Sequence, residues 1–204
     1  MPSLIERRVS TIVRLEIRQS KSEPAKIVGH AAVFNQWSEN LGGFKEKIAP
    51  GAFAKSIKSD DVRALFNHNP DFVLGRTASK TLRLSEDGQG LAMECDPPDT
   101  QMARDVMELI RRGDISQMSF GFKTISDQWT RGADGQPDER TLIEAQLYDV
   151  SPVTYPAYPQ TDVNCRALED ILAAGRAQLG IALPKPGIGL ELARMRVKAM
   201  NLEG

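Results

Sequence analysis

The sequence is poor in the residues that build metal centres and disulfide frameworks. Its 204 residues include two cysteines, Cys95 and Cys165, and two histidines, His30 and His68. The cysteines form neither a Cys-x-x-Cys pair nor a Cys/His cluster, so we expect no structural zinc site and no disulfide framework. A mechanism that uses an imidazole therefore has two candidate residues.

An excess of charge and a long apolar run are also missing. Lys and Arg number 26 against 27 Asp and Glu, which gives a formal net charge of −1. We do not expect nucleic-acid binding, because contacts to phosphates usually require a basic surface. The sequence has no stretch of about 18 apolar residues and no apolar signal core at its start, so we expect neither a membrane span nor export.

Short segments in which apolar and polar residues alternate dominate the first 150 residues. Hydrophobic residues make up 41% of the chain and charged residues 26%, as in ordinary globular domains. The alternation predicts strands at 11–18, 26–35, 62–66, 81–84, 91–95, 115–126 and 141–150. The turn-rich segment 86–90, which contains Gly88, predicts a hairpin between the strands at 81–84 and 91–95. A helix is predicted over 99–112, where Asp99 or Thr100 can cap the start and Gly113 ends the apolar periodicity.

The composition changes after the segment 155–159. Apolar residues then recur at helical spacing in 166–179 and again in 187–200, and the intervening Leu-Pro-Lys-Pro-Gly is typical of a stiff break. We therefore place a domain boundary near Cys165, with residues 1–165 as the main domain and 166–204 as a helical tail.

A histidine and a serine occupy positions from which they could act in nucleophilic catalysis. His68 follows a predicted strand end, where a loop side chain can reach a substrate. Ser119 and Gly121 share one face of a predicted strand, and the missing side chain of Gly121 would let a polypeptide backbone approach the serine hydroxyl. His30, inside a predicted strand, is expected to be structural. Cys95 has no helix N-terminus to activate its thiol and is expected to fill space.

A carboxylate could orient His68 and stabilise its imidazolium form. The strand predicted at 141–150 offers Glu144 and Asp149, which strict alternation places on opposite faces. Only one of the two can then face the site.

Five sequence blocks follow one another within residues 11–160. They are 29–35, 48–53, 65–69 with 74–76, 113–122, and 147–153 with 155–157. Together they resemble the prohead proteases of tailed bacteriophages, serine peptidases thought to share a fold with the herpesvirus assemblin proteases.

The resemblance implies an α+β fold, a closed and mostly antiparallel β-barrel surrounded by helices, with 1–165 as the catalytic domain. The family histidine falls on His68 and the nucleophile on Ser119. Herpesvirus-type relatives use a second histidine as third member, but none follows His68 here. A carboxylate must replace it, and we favour Glu144 over Asp149 because Glu144 begins the strand pattern.

The resemblance also implies a serine endopeptidase that needs no metal or cofactor and acts inside the procapsid in the host cytoplasm. Its substrates would be scaffold protein, the scaffold-like extension of the major capsid protein, and the protease itself. Self-association stays open, and residues 166–204 are expected to tether the enzyme to scaffold or capsid protein. The alternative is a non-catalytic scaffold or capsid-assembly factor, or a degenerate protease homologue.

Overall fold

Two β-sheets and three helices make up the described part of the chain. The computed structural model describes residues 5–10, 15–20, 24–133, 135–155 and 162–181. The elements in chain order are β1 (Glu6–Ser10), β2 (Glu16–Arg18), β3 (Lys26–Val33), β4 (Phe44–Ile48), α1 (Ser56–Ser59), β5 (Arg63–Phe66), β6 (Asn69–Arg76), β7 (Leu82–Glu86), β8 (Gly90–Cys95), α2 (Gln101–Arg112), β9 (Gln117–Thr130), β10 (Asp138–Val153) and α3 (Asp162–Gln178).

The larger sheet has six strands and is mixed. Its order is β1-β9-β10-β5-β6, and β4 pairs with another stretch of β10. The long strands β9 and β10 form an antiparallel hairpin, whereas β4 and β5 run parallel to β10. The smaller sheet has the order β2-β3-β8-β7, with antiparallel pairs throughout. The predicted hairpin around Gly88 is confirmed as β7 and β8.

The prediction of a closed barrel surrounded by helices is wrong. The described strands form two separate sheets, and the outer strands of the larger one, β1 and β6, do not pair with each other. The three helices described are too few to surround the sheets, and α1 is a single turn. Alternating apolar and polar residues predict where strands lie. They do not predict that β4 and β5 pair in parallel with β10.

Helix α2 has the capping residues that its sequence predicts at both of its ends. The Thr100 hydroxyl accepts a hydrogen bond from the Ala103 N–H at the start, and Gly113 closes the helix with a φ of 84°. A positive φ costs glycine little, which is why a glycine suits this position.

None of the helices among the described residues is long and apolar enough to cross a membrane.

The core contains a group of aromatic rings. Phe53 meets Phe120 edge to face with ring centroids 5.5 Å apart, and Phe120 stacks on Phe122 at 5.0 Å. All three rings are buried. Because Phe120 and Phe122 point into the core from β9, the residues that alternate with them point to the opposite face of that strand.

Helix α3 packs against the larger sheet. It begins at Asp162, before the predicted boundary near Cys165, and its Ile171 and Leu172 join a cluster with Phe44 and Trp129. The first amphipathic stretch of the predicted tail thus lies on the body of the protein. The second stretch, 187–200, falls outside the described residues, and its role as a tether stays a prediction.

Candidate active site

Ser119 lies near the start of β9, on the face opposite the aromatic core. Its neighbours across the sheet are Val9 on β1 and Ser151 on β10. Ser119 and Ser151 have no exposed surface. The strand that carries Ser119 is therefore paired on both sides at this point, and its hydroxyl is shielded from solvent.

His68 lies in a two-residue turn between β5 and β6. Asn67 and His68 have φ angles of 54° and 56°, so both adopt the left-handed conformation of a type I′ hairpin turn. This conformation is unusual for a histidine and costs about 1–2 kcal/mol. Strain of this kind is found mainly where the surroundings hold a residue for function.

Asn67 ties this turn to the end of β10. Its backbone N–H donates to the Pro152 carbonyl at 3.0 Å, and its Oδ1 accepts from the Thr154 N–H at 2.9 Å. The Asn67 Nδ2 also donates to the Thr154 hydroxyl at 3.2 Å. These contacts hold the His68 ring above β9 and β10.

A chain of hydrogen bonds joins Ser119, His68 and Asp149. The His68 Nε2 lies 2.6 Å from the Ser119 Oγ, and its Nδ1 lies 2.5 Å from the Asp149 Oδ2. With Nδ1 protonated, Nε2 can accept the serine proton, and the carboxylate can stabilise the imidazolium that forms. The arrangement is that of a nucleophile, a general base and an orienting carboxylate.

Asp149 is held by groups on two sides. It lies opposite Gly121, and a Cβ atom added to Gly121 would be 2.4 Å from the Asp149 Oδ1. The buried Ser151 hydroxyl donates to the Asp149 Oδ2 at 2.7 Å. The space at Gly121, which we had expected to admit a substrate backbone, is filled by the carboxylate.

The structure does not bring Glu144 to His68, contrary to our preference for it over Asp149. Glu144 pairs instead with the exposed Lys55 at 2.7 Å. Strand β10 contains several register irregularities, one between Leu142 and Glu144 and another between Leu147 and Asp149. Such bulges alter which side chains reach each face, so the place of Glu144 at the start of the strand pattern did not identify the carboxylate that meets His68.

The two other residues weighed in the sequence lie elsewhere. The His30 Nε2 is 2.8 Å from Asp87 Oδ2, and this hydrogen bond lowers the pKa of Asp87 to about 2. The Cys95 thiol donates to the Leu74 carbonyl, and burial raises its pKa to about 12. A thiol with so high a pKa is a poor nucleophile at neutral pH.

A buried ionic cluster, which the sequence analysis missed, anchors β1 beside β9. The guanidinium of Arg140 is 2.7 Å from Glu6, 2.8 Å from Glu46 and 2.7 Å from Asp127. Arg8 adds an ion pair to Glu46 at 2.8 Å. Burial alone would raise the pKa of Glu6, but its hydrogen bond to Arg140 and the charges of Arg8 and Arg140 outweigh burial and lower it. The cluster thereby fixes the strand that flanks Ser119.

No group of three or more His, Cys, Asp or Glu side chains in the described ranges is arranged to hold a metal ion.

Comparisons with known proteins give one family and a distant structural likeness. Residues 13–173 match the family model described as caudovirus prohead serine protease. A solved structure of the bacteriophage T4 capsid assembly protease, gp21, is 12% identical with a TM-score of 0.42, over 74% of this chain and 99% of that one. No curated protein matches the sequence.

Proposed function

Because the chain belongs to the caudovirus prohead serine proteases, we propose that it is a serine endopeptidase whose catalytic residues are Ser119, His68 and Asp149. One observation carries the proposal: the unbroken hydrogen-bond chain from the Ser119 Oγ through both ring nitrogens of His68 to the Asp149 carboxylate. The family match covers residues 13–173 and so includes all three residues.

In the proposed reaction, His68 Nε2 takes the Ser119 proton while the Oγ attacks the scissile carbonyl carbon. The resulting imidazolium is stabilised by Asp149 and then gives its proton to the leaving amine as the C–N bond breaks. A water molecule, deprotonated by His68, hydrolyses the acyl-enzyme and restores the Ser119 hydroxyl.

The substrates proposed are scaffold protein, the scaffold-like extension of the major capsid protein, and the protease itself. Such cleavage would take place inside the procapsid in the host cell. Ser119 has no exposed surface, so the groups that cover it must move before a peptide reaches its hydroxyl.

The proposal is tested with purified wild-type protein and with Ser119→Ala, His68→Ala and His30→Ala variants. Each is incubated with the capsid precursor and the scaffold protein, and cleavage is followed on gels. Loss of a triad nucleophile or base lowers turnover by about a millionfold, so the first two variants should cut nothing detectable. His30→Ala is the matched control, because His30 contacts Asp87 and not the hydrogen-bond chain.

A fluorophosphonate provides an independent readout, since it labels an activated serine without requiring a peptide. We expect label on Ser119 in wild type and in His30→Ala. Processing by Ser119→Ala at the wild-type rate would contradict the proposal. So would a wild-type protein that neither labels nor cleaves, which would favour a non-catalytic assembly factor.

A further inference from the structure

Gln117 has an unused hydrogen-bonding group beside the candidate nucleophile. It lies two residues before Ser119 on β9, so its side chain projects from the same face of the strand. The Gln117 Oε1 is buried and has no hydrogen-bond partner. Among the described residues, no other buried side-chain nitrogen or oxygen atom lacks one. The cross-strand neighbour of Gln117 is Val153, which is buried and apolar.

A buried acceptor without a partner costs free energy, and native proteins leave few such atoms. The cost can be recovered when a ligand supplies the missing donor. Because Gln117 stands next to Ser119, the ligand that passes it on this face is the peptide whose bond Ser119 attacks.

The pairing of β9 determines how a peptide can approach. Ser119 is flanked by Val9 and Ser151, so the substrate cannot add as a new strand beside Ser119. It must lie across the face, where side chains provide its hydrogen-bond partners. Of the β9 residues on this face, Ser119 already bonds to His68 and Gly121 has no side chain. Gln117 is the one left with a free acceptor.

We propose that the Gln117 Oε1 accepts a hydrogen bond from a main-chain N–H of the substrate near the scissile bond. This inference rests on the proposed function and makes Gln117 a substrate-positioning residue. A main-chain N–H is available in nearly every peptide, so Gln117 contributes to binding and alignment whatever the substrate side chain.

The test is a cycle of enzyme and substrate changes. The probe is a fluorogenic decapeptide that spans the bond cut by wild-type enzyme in the capsid precursor, together with versions methylated at one main-chain nitrogen at a time. The enzymes are wild type, Gln117→Met, which keeps the length but removes the acceptor, and Gln117→Glu, which keeps an acceptor. Gln128→Met is the matched control, since Gln128 is an exposed residue farther along β9.

We expect Gln117→Met to lower kcat/KM by about tenfold, the usual effect of losing one hydrogen bond, while Gln117→Glu retains more activity than Gln117→Met. Methylation of one main-chain nitrogen should lower the kcat/KM of wild type by a similar factor, whereas it should hardly change the kcat/KM of Gln117→Met. Gln128→Met should behave as wild type. If Gln117→Met melts at a much lower temperature, Gln117→Ala replaces it in the cycle.

Two results would overturn the inference. The first is a kcat/KM of Gln117→Met equal to that of wild type. The second is that, at every nitrogen, methylation lowers kcat/KM by the same factor in Gln117→Met as in wild type. Fluorophosphonate labelling separates this failure from failure of the proposed function. If the inference alone is wrong, Ser119 still labels at the wild-type rate in every Gln117 variant. If wild type neither labels nor cleaves, both proposals fall together.

Discussion

The missing side chain at Gly121 is what allows Asp149 to reach His68. Gly121 does not have a positive φ, so its backbone suits alanine as well as glycine. Substitution by alanine therefore tests one thing, the space between β9 and the Asp149 carboxylate. We predict that Gly121→Ala largely inactivates the enzyme.

The size of the effect follows from the distances. The new Cβ would lie 2.4 Å from the Asp149 Oδ1, whereas real Cβ contacts are at least 3.0 Å, so the carboxylate must move by 0.6 Å or more. The Asp149 Oδ2 is only 2.5 Å from the His68 Nδ1 and cannot keep both that bond and the one from Ser151 after such a shift. Misplacing a catalytic group by about 1 Å costs about a hundredfold in rate. Overpacking should also destabilise the fold by about 1–3 kcal/mol.

The assay is kcat/KM on a fluorogenic peptide, with thermal unfolding measured on the same samples. Gly88→Ala is the matched control, because a Cβ at Gly88 meets nothing within 4 Å and the glycine has no positive φ. We expect Gly88→Ala to retain wild-type activity. An active Gly121→Ala enzyme with wild-type kcat/KM would show that the position of Asp149 does not limit catalysis and would refute this reasoning.

Two further predictions concern Asp149 and Cys95. Asp149→Asn should lower kcat by about ten-thousandfold, as loss of the triad carboxylate does elsewhere, while Glu144→Gln stays near wild type; equal losses in peptide assays would contradict this. The pKa of Cys95 is raised to about 12 by burial, so above about pH 8.5 the unfolded chain loses its proton first. Between about pH 9 and pH 11 the free energy of unfolding of wild type should therefore fall by about 1.4 kcal/mol per pH unit more than that of Cys95→Ala, a difference that denaturant titrations of the two proteins measure.

The fold was predictable at the level of its elements and not at the level of its sheets. The hairpin around Gly88 and the helix ending before Gly113 were found because their turn and cap residues act within a few positions of the chain. The parallel pairing of β4 and β5 with β10 joins segments about 90 residues apart, and no local pattern encodes it. The barrel expectation came from the family resemblance, and the sequence blocks that carry the resemblance do not encode which strands pair.

At the candidate site, the sequence analysis identified His68 and Ser119 because they lie in the blocks 65–69 and 113–122 that carry the family resemblance. The structure places His68 and Ser119 in hydrogen-bond contact although 51 positions separate them. Gly121 carried a further signal, since a glycine two residues from a serine marks space on the same face. The sequence could not show that a carboxylate fills this space, because that depends on the register between β9 and β10.

The bulge at Tyr148 decides which face Asp149 occupies. Leu147 lies opposite Phe122 and Asp149 lies opposite Gly121, so two consecutive β9 residues face β10 residues that are two apart, with Tyr148 as the extra one. In a regular strand, Leu147 and Asp149 would share a face. The bulge instead leaves Leu147 in the core and turns the carboxylate to the opposite side, where His68 lies. The candidate site is therefore assembled by one irregular residue in a long hairpin, together with a strained turn held by Asn67.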